Sequence, residues 1–244
     1  MLEERVVNKC TLPGSFSLPE GALLLVDKPL TWTSFDVVNK IRFAIKHAYS
    51  LRKCKVGHAG TLDPLASGLL LVCTGPFTKK IDSLQNQSKL YSGIIQLGAT
   101  TPTFDAESAP EHFLPVPDIT ENILNDLMHH FTGPQFQVPP VYSAIKVKGK
   151  KSYLLARRGE DVELKPRAVE IFSIKLSLIN SDQIGFIVNC SKGTYIRSLA
   201  HDIGRFMHCG AYLLSLRRES IGEYRVNDSL PIDDIIRFIQ NPVT

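Results

Sequence analysis

The residues with the clearest chemical meaning lie in one short stretch, residues 57–68, which reads GHAGTLDPLASG. Its three glycines let the backbone approach a ligand closely. Pro64 disfavours helical geometry at Asp63, so the carboxylate is presented from a stiff, extended segment that suits a nucleophile or a general base. An Asp-Pro pair also occurs in ordinary turns, and a histidine between glycines, here His58, is often a hydrogen-bonding loop residue. The residues alone therefore leave a catalytic and a structural interpretation open.

Two segments contain basic residues and no acidic ones. Residues 37–62 hold six Lys and Arg and residues 127–159 hold six more, so the two segments carry +12 in a chain whose net charge is +4. Tyr49, Tyr142 and Tyr153 lie within them and would suit stacking on unpaired bases. We therefore expect a surface for a polyanion, with two solvated faces as the alternative. Charge alone does not separate RNA from DNA or from a membrane surface.

The elements that position these residues follow from hydrophobic periodicity. Thr33 or Ser34 is expected to cap a helix, Thr120 to begin a second and Thr194 to cap a third. Further helices are expected near residues 78–84 and 232–239. Strands are expected at residues 21–26, 69–72, 90–97, 141–147, 169–178, 184–189, 211–216 and 222–226. Because strands outnumber helices and several are joined by short turns, the sequence predicts an α+β fold with a mixed, largely antiparallel central sheet flanked by helices.

Length, hydropathy and cysteine usage exclude several classes of protein. No composition break divides the 244 residues, so we expect one domain over residues 1–244. No apolar run is long enough to cross a membrane and no targeting segment is readable at the start, which predicts a cytoplasmic protein. The five cysteines form no Cys-x-x-Cys pair and are expected to stay reduced. Because zinc-ligand spacing, a dinucleotide fingerprint and a P-loop are all absent, we expect no metal and no cofactor.

Residues 57–72, GHAGTLDPLASGLLLV, resemble the signature of the TruB family of tRNA pseudouridine synthases. Further segments resemble family motifs in the same order along the chain. They are residues 27–29 with Thr33 and Ser34, residues 89–98, residues 138–146 and residues 193–199. The resemblance covers roughly residues 20–220. It implies the pseudouridine synthase fold and the isomerisation of a uridine in tRNA, the one conventionally numbered 55 in the T-loop.

The resemblance implies three catalytic residues. Asp63 would act on the uridine while the N-glycosidic bond breaks and the base rejoins through carbon C5. Tyr91 would stack on the flipped uracil, and Arg197 would pair with Asp63. Without the resemblance, Tyr91 at a strand start reads as a core aromatic and Arg197 on an amphipathic helix reads as a solvated side chain. The pairing has a physical motive, because a carboxylate in a cleft stays ionised only when a cation holds it so.

Four more residues are expected, by the same resemblance, to bind the substrate. His58 would support extrusion of the nucleotide from its loop, and Tyr195 and Lys146 belong to matching motifs. Lys28 would either contact RNA or seat the first motif. An enzyme that acts on one base must take that base out of the stack, which requires an aromatic platform and a wedge. The isomerisation itself needs no redox cofactor, nucleotide or metal.

The chain departs from the family pattern at two points. Thr31 stands where the family usually has glycine, and little chain remains after the last strands for the C-terminal PUA domain that many relatives carry. We therefore expect a catalytic domain that binds the T-arm of tRNA, with no DNA, membrane or obligate protein partner. Three other classes of protein stay open as alternatives. The chain could be a guide-RNA-dependent pseudouridine synthase or a non-enzymatic module that binds or folds RNA. It could also be a carboxylate-dependent hydrolase, which would need a second acid to activate water.

Overall fold

The computed structural model describes residues 5–11, 16–143, 145–147, 149–156, 158–160 and 162–241. The chain divides into two compact units. Unit 1 comprises Met1–Leu90 and Arg217–Thr244, and unit 2 comprises Tyr91–Leu216. Unit 1 is therefore built from both ends of the chain, whereas unit 2 is contiguous. The expected single domain over residues 1–244 stays a prediction.

The described residues form both α-helices and strands, and several strands follow one another without a helix between them. The α-helices are α1 (Ser34–Ala48), α2 (Ile81–Gln85), α3 (Glu121–Phe131), α4 (Ser152–Ala156), α5 (Ile196–Phe206) and α6 (Ile232–Gln240). The strands are β1 (Val6–Val7), β2 (Leu23–Lys28), β3 (Val56–His58), β4 (Ala66–Thr74), β5 (Lys89–Leu97), β6 (Gly133–Gln137), β7 (Lys146–Val147), β8 (Lys150–Lys151), β9 (Arg167–Asn180), β10 (Gln183–Cys190), β11 (Ala211–Ile221), β12 (Tyr224–Arg225) and β13 (Leu230–Pro231). The predicted α+β class with a mixed, mostly antiparallel sheet is confirmed. None of the helices within the described part of the chain has both the length and the apolar character to span a membrane.

The sheet of unit 1 is built on β2 and β4. These strands run antiparallel, with Leu25 opposite Leu71. β1 and β13 lie parallel to β2, and β3 lies antiparallel to β4. β11 follows β4 in the strand order and turns back into β12. Both central strands are apolar along most of their length and almost wholly buried, as expected of strands covered on both faces.

Helix α1 is the element that connects the core of unit 1 to the residues of chemical interest. Thr33 caps it in a reciprocal capping box, in which Asp36 N donates to Thr33 Oγ1 at 3.0 Å and Thr33 N donates to the Asp36 carboxylate at 2.9 Å. Val37, Ile41 and Ile45 recur at helical spacing and are buried in one core with β2, β4 and α6. The predicted cap and the predicted apolar face of this helix are both confirmed.

Strand β11 is divided between the two units, because its residues 211–216 belong to unit 2 and its residues 217–221 to unit 1. The other strands of unit 2 follow in the order β5, β10, β9, β6. β9 and β10 form an antiparallel hairpin with Val188 opposite Ile174, and β6 pairs with the other edge of β9. Ile184, Phe186 and Val188 are buried at alternate positions of β10, which shows that one face of the hairpin is covered. Helix α3 packs against β9.

Several predicted elements of unit 2 are wrong in their bounds. The strand expected at residues 141–147 is limited to β7, and residues 133–137 form the unexpected strand β6. Thr194 was expected to cap α5 but lies one residue before the N-cap position, and its hydroxyl donates to Ser191 O at 3.0 Å. The N-cap position belongs to Tyr195, whose N–H donates to the side chain of Gln137 at 2.7 Å. A residue of β6 therefore replaces the expected local cap.

The expected strands at residues 211–216 and 222–226 also differ from the structure. Residues 211–221 form one continuous strand, β11, and only Tyr224–Arg225 continue as β12. Arg217 and Arg218 therefore lie inside a strand and not in a turn between two strands.

Candidate active site

The Asp63 loop, residues 59–65, connects β3 to β4 in unit 1. Ser34 Oγ donates to Leu62 O at 3.0 Å and accepts from Leu62 N at 2.8 Å. Thr31 N donates to Pro64 O at 2.8 Å. The residues on both sides of Asp63 are thus fixed to the turn before α1 and to its first residue, while Asp63 itself is half-buried. This is the stiff presentation of a carboxylate that the sequence predicted.

Thr31 adopts a conformation that is unfavourable for its residue type. Its φ is 68°, in the left-handed region that β-branched residues rarely occupy. Its N–H makes the hydrogen bond to Pro64, so the strained residue is one of those that hold the Asp63 loop. Glycine at this position would adopt the same conformation without strain.

Lys28 lies at the end of β2 and is 0% exposed. Its Nζ donates to Pro29 O at 2.8 Å and to Trp32 O at 2.6 Å, so it seats the turn that leads into α1. Burial lowers the pKa of Lys28 from 10.5 to about 8; the Asp63 carboxylate opposes this shift, and the charge of Arg218 adds to it. These bonds correspond to the second of the two roles expected for Lys28, and its contact with RNA stays a prediction.

His58 lies at the end of β3, and its Nδ1 is buried with no hydrogen-bond partner among the described residues. Burial lowers the pKa of His58, the positive charge of Arg218 lowers it further, and the Gly60 backbone has a smaller opposing effect. The imidazole is therefore mostly neutral at neutral pH. A neutral imidazole has an acceptor nitrogen that a nucleotide can use, which is compatible with the role expected for His58 in extrusion.

Arg197, at the start of α5 in unit 2, is buried at 6% exposure. Its Nη1 donates to Thr103 O at 3.1 Å and to Tyr142 O at 3.0 Å. Its Nε lies 3.7 Å from the carboxylate of Asp105, which is 5% exposed. Arg197 is thus not the solvated side chain that its helix alone would suggest, because carbonyl groups and a buried acid surround it. The pairing of Arg197 with Asp63 stays a prediction.

The other expected site residues of unit 2 occupy different settings. Tyr91 lies in β5 and is 8% exposed. Tyr195 is half-buried directly before α5, where its backbone N–H is bound by Gln137. Lys146 lies in the short strand β7, and its side chain is outside the described part. The stacking of Tyr91 on uracil and the substrate contacts of Tyr195 and Lys146 stay predictions.

The first basic segment, residues 37–62, is mostly accessible. Its exposed members are Lys40, Arg52, Lys53 and Lys55. Arg42 is used structurally, because it donates to Asn39 Oδ1 at 2.6 Å and to Val56 O at 2.9 Å. Tyr49 packs against the core of unit 1, and its hydroxyl accepts from Leu18 N at 3.4 Å. Tyr49 is therefore only half-exposed, and its stacking on unpaired bases stays a prediction.

The second basic segment, residues 127–159, is described only in part. Lys150 and Arg158 are exposed there. The side chains of this segment that lie outside the described part are Lys146, Lys148, Lys151, Tyr153 and Arg157. The expected RNA surface in this segment stays a prediction.

Comparison with known proteins connects these residues to a family. Residues 46–196 match the TruB family of pseudouridylate synthases, N-terminal domain, a range that contains Asp63 and Tyr91 and ends one residue before Arg197. The chain belongs to the TruB family. As a TruB-family protein it is an enzyme of the isomerase class, which confirms the family and the class of activity that the resemblance implied.

Several TruB-family relatives match most of the chain. The tRNA pseudouridine synthase B of Phocaeicola vulgatus is 49% identical over 214 residues, which cover 88% of this chain and 91% of that protein. The tRNA pseudouridine synthase B of Flavobacterium johnsoniae is 47% identical over 214 residues, covering 87% and 93%. Among solved structures, a chain in the crystal structure of a Cbf5-Nop10-Gar1 complex matches with a TM-score of 0.66 and 27% identity. That match covers 91% of this chain and 55% of the solved chain.

Asp105 is the site residue that sequence reasoning missed in this TruB-family chain. Its carboxylate lies beside Arg197 and accepts from Glu107 N at 3.0 Å. Its backbone carbonyl accepts from the hydroxyls of Thr101 and Thr103, at 2.8 Å and 3.3 Å. The signal in the sequence is faint, since it consists of two threonines spaced by two before an acid. A buried arginine in need of a counter-charge would have been the stronger reason to search for an acid.

Proposed function

We propose that this chain converts uridine 55 in the T-loop of tRNA to pseudouridine, with Asp63 as the catalytic residue and without a cofactor. In this reaction the bond between N1 of uracil and C1′ of ribose breaks, and a bond between C5 and C1′ forms. N1 gains a proton, and the hydrogen on C5 leaves to the solvent. Because the sum is an isomerisation, neither an oxidant nor a second substrate is required.

The observation that carries the proposal is the way the Asp63 loop is held. Hydrogen bonds from Ser34 and Thr31 fix Leu62 and Pro64, the two neighbours of Asp63. A carboxylate fixed in this way needs little reorganisation to reach the ribose or the base of a bound nucleotide. The relatives named tRNA pseudouridine synthase B support tRNA as the substrate.

The remaining site residues have complementary roles in the proposal. The target base leaves its stack, and Tyr91 offers it an aromatic platform. Arg197 pairs with Asp63 and supplies a positive charge beside its carboxylate. His58, with its neutral imidazole, accepts a hydrogen bond from the extruded nucleotide. Tyr195, Lys146 and Lys28 complete the binding of the RNA loop.

Tritium release from 5-labelled uridine tests the proposal, because forming the C5–C1′ bond displaces the hydrogen on C5. The labelled substrate is a T-arm hairpin or a whole tRNA. Asp63→Asn should abolish release while RNA affinity changes by less than about tenfold, or roughly 1.4 kcal/mol. Asp118→Asn, which removes an exposed acid of the same type, should release tritium like the wild-type enzyme. Turnover by Asp63→Asn comparable to wild type would refute the catalytic role.

The proposal also specifies the part of tRNA that is used. We propose that the T-arm alone is sufficient, that no obligate protein partner is needed and that the reaction takes place in the cytoplasm. A minimal T-arm hairpin should then have a kcat/KM within about tenfold of that of whole tRNA at one fixed ionic strength. A preference of a hundredfold or more for whole tRNA would mean that the enzyme contacts RNA beyond the T-arm.

A further inference from the structure

Arg218, in β11, is a large polar side chain that is almost wholly buried in unit 1, at 1% exposure. Its three nitrogens donate to three backbone carbonyls. Nε donates to Leu69 O at 2.7 Å, Nη2 to Gly60 O at 3.1 Å and Nη1 to Thr61 O at 3.4 Å. Gly60 and Thr61 lie in the Asp63 loop shortly before Asp63, and Leu69 lies in β4 shortly after it. One guanidinium therefore connects the segments on both sides of Asp63.

The backbone of Arg218 contributes to the same junction. Gly68 has a φ of 101°, and a Cβ added there would overlap Arg218 O and Arg218 N. β4 therefore approaches β11 closely at the point where Arg218 reaches toward the Asp63 loop, and only glycine permits this approach. Gly68 is one of the three glycines that the sequence motif contains, so the motif has the small residue that this contact requires.

The charge of Arg218 is not neutralised in the way that is usual for a buried cation. Among the described residues, no carboxylate lies within ion-pair distance of it, whereas the neighbouring Arg217 forms a bidentate pair with Asp27 at 2.8 Å and 3.1 Å. Carbonyl groups satisfy its donors but leave its positive charge uncompensated, which is an unfavourable arrangement for structure alone. A neutral donor could make such hydrogen bonds at less cost.

The uncompensated charge acts on groups that surround Asp63. Arg218 lowers the pKa of both Lys28 and His58, and Lys28 also lies within the field of Asp63. A fixed positive charge at this place favours the ionised form of a nearby carboxylate and the neutral form of a nearby base.

We propose that Arg218 is a positioning residue for the isomerisation: it fixes both sides of the Asp63 loop and supplies a permanent positive charge beside the site. Arg218 touches neither substrate nor reacting atoms in this role and acts through Asp63. The proposal rests on the catalytic role of Asp63 proposed above. The two are tested separately. Tritium release by the wild-type enzyme and its loss in Asp63→Asn test the proposed function, and the ratio of kcat in an Arg218 variant to the wild-type kcat tests the role of Arg218.

Two substitutions separate the hydrogen bonds from the charge. Arg218→Gln keeps amide donors and loses the charge, whereas Arg218→Lys keeps the charge and loses the planar fork. We expect kcat for tritium release to fall at least a hundredfold in Arg218→Gln, with RNA affinity within threefold of wild type. Arg218→Lys should recover part of that loss and have a kcat about tenfold below that of the wild-type enzyme. Arg217→Gln, which breaks an ion pair on the same strand, is the matched control and should keep kcat within threefold of wild type.

The pH profile of kcat is a readout that a purely structural role would not move. Lys28 holds the turn that leads into α1 through hydrogen bonds from its ammonium group, and it loses a proton near pH 8, so we expect its titration to set the alkaline limb of the profile. Removing the charge of Arg218 raises the pKa of Lys28, so the alkaline limb of the profile should shift to higher pH in Arg218→Gln and stay in place in Arg218→Lys. A folded Arg218→Gln enzyme with kcat within threefold of wild type would overturn the proposal. The proposal would also be overturned if Arg218→Gln and Arg218→Lys had the same kcat and the same alkaline limb in their pH profiles. If Arg218→Gln does not fold, Arg218→Lys decides: a tenfold loss of kcat at unchanged affinity supports the proposal, and full kcat overturns it.

Discussion

The buried Lys28 should make the free energy of unfolding of this protein rise with pH under alkaline conditions. Its pKa is about 8 in the folded protein, against 10.5 for an ordinary lysine, the value expected in the unfolded chain. Below pH 8 both states hold the proton, and the unfavourable burial of the cation is fully present. Between the two pKa values the unfolded chain binds more protons than the folded protein, so stability rises with pH. A pKa difference of about 2.5 corresponds to about 3 kcal/mol, of which about 2 kcal/mol is gained between about pH 7 and about pH 9.5.

Urea denaturation of the wild-type protein and of Lys28→Met at several pH values isolates this effect. The wild-type free energy of unfolding, minus that of the variant, should rise by about 2 kcal/mol from about pH 7 to about pH 9.5. Other groups that titrate in this range cancel in the difference. Lys79→Met removes an exposed lysine and is the control, for which the difference should stay constant. A Lys28 difference that stays flat or falls with pH would refute the inference that Lys28 is buried as a destabilised cation.

Four further outcomes are expected. Gly68→Ala should destabilise the protein by about 3 kcal/mol or more in urea denaturation, because its φ is 101° and its new Cβ would overlap the neighbouring strand. Thr31→Gly should raise the stability by about 1 kcal/mol, because it relieves a β-branched residue at a φ of 68°. Asp105→Asn should lower the free energy of unfolding by up to about 3 kcal/mol, and kcat with it, because buried Arg197 loses its carboxylate. Lys150→Gln should flatten the slope of log affinity for RNA against log salt by up to about 0.9.

Controls within the chain sharpen these tests. Gly193 also has a positive φ, 82°, but an added Cβ would meet nothing within 4 Å, so Gly193→Ala measures the backbone strain without the overlap. Equal losses at Gly68 and Gly193 would contradict the close approach of β4 and β11. A Thr31→Gly protein no more stable than wild type would show that Thr31 is not strained. If Lys150→Gln leaves the slope of log affinity for RNA against log salt unchanged, Lys150 does not contact RNA phosphate and is an ordinary solvated side chain.

Local signals in the sequence predicted the elements that local interactions determine. Thr33 and Thr120 cap α1 and α3 as expected, because a hydroxyl before an apolar periodic run accepts the free N–H groups of the helix that follows. Strand β6 was missed because Gly133 and Pro134 open it, and proline is tolerated there only because β6 pairs along one side with β9 and ends the strand order. Thr194 failed as a cap because a partner distant in the sequence replaced it.

The Asp63 motif could be read from the sequence, whereas the contacts that support it could not. The motif around Asp63 is visible because its glycines and proline are contiguous in the sequence. Ser34, Arg218 and Asp105 gain their roles from residues far along the chain, and no periodicity or spacing indicates such pairs. In the sequence, Arg218 cannot be distinguished from any other charged residue of a strand. Only the fold shows that its guanidinium donates to three carbonyl groups.

The bond between Arg218 and Gly60 joins residues 158 positions apart, and this has a consequence for how the enzyme is made. Unit 1 is completed only by Arg217–Thr244, whereas unit 2 is contiguous and has all its residues available earlier during synthesis. A nascent chain that ends before Arg217 already contains every residue expected to be catalytic, yet its Asp63 loop has no strand to close against. Contacts between residues so far apart form late in folding. Activity should therefore appear abruptly, once the segment that begins at Arg217 has left the ribosome, and a chain cut short before Arg217 should carry the whole sequence signature and remain inert.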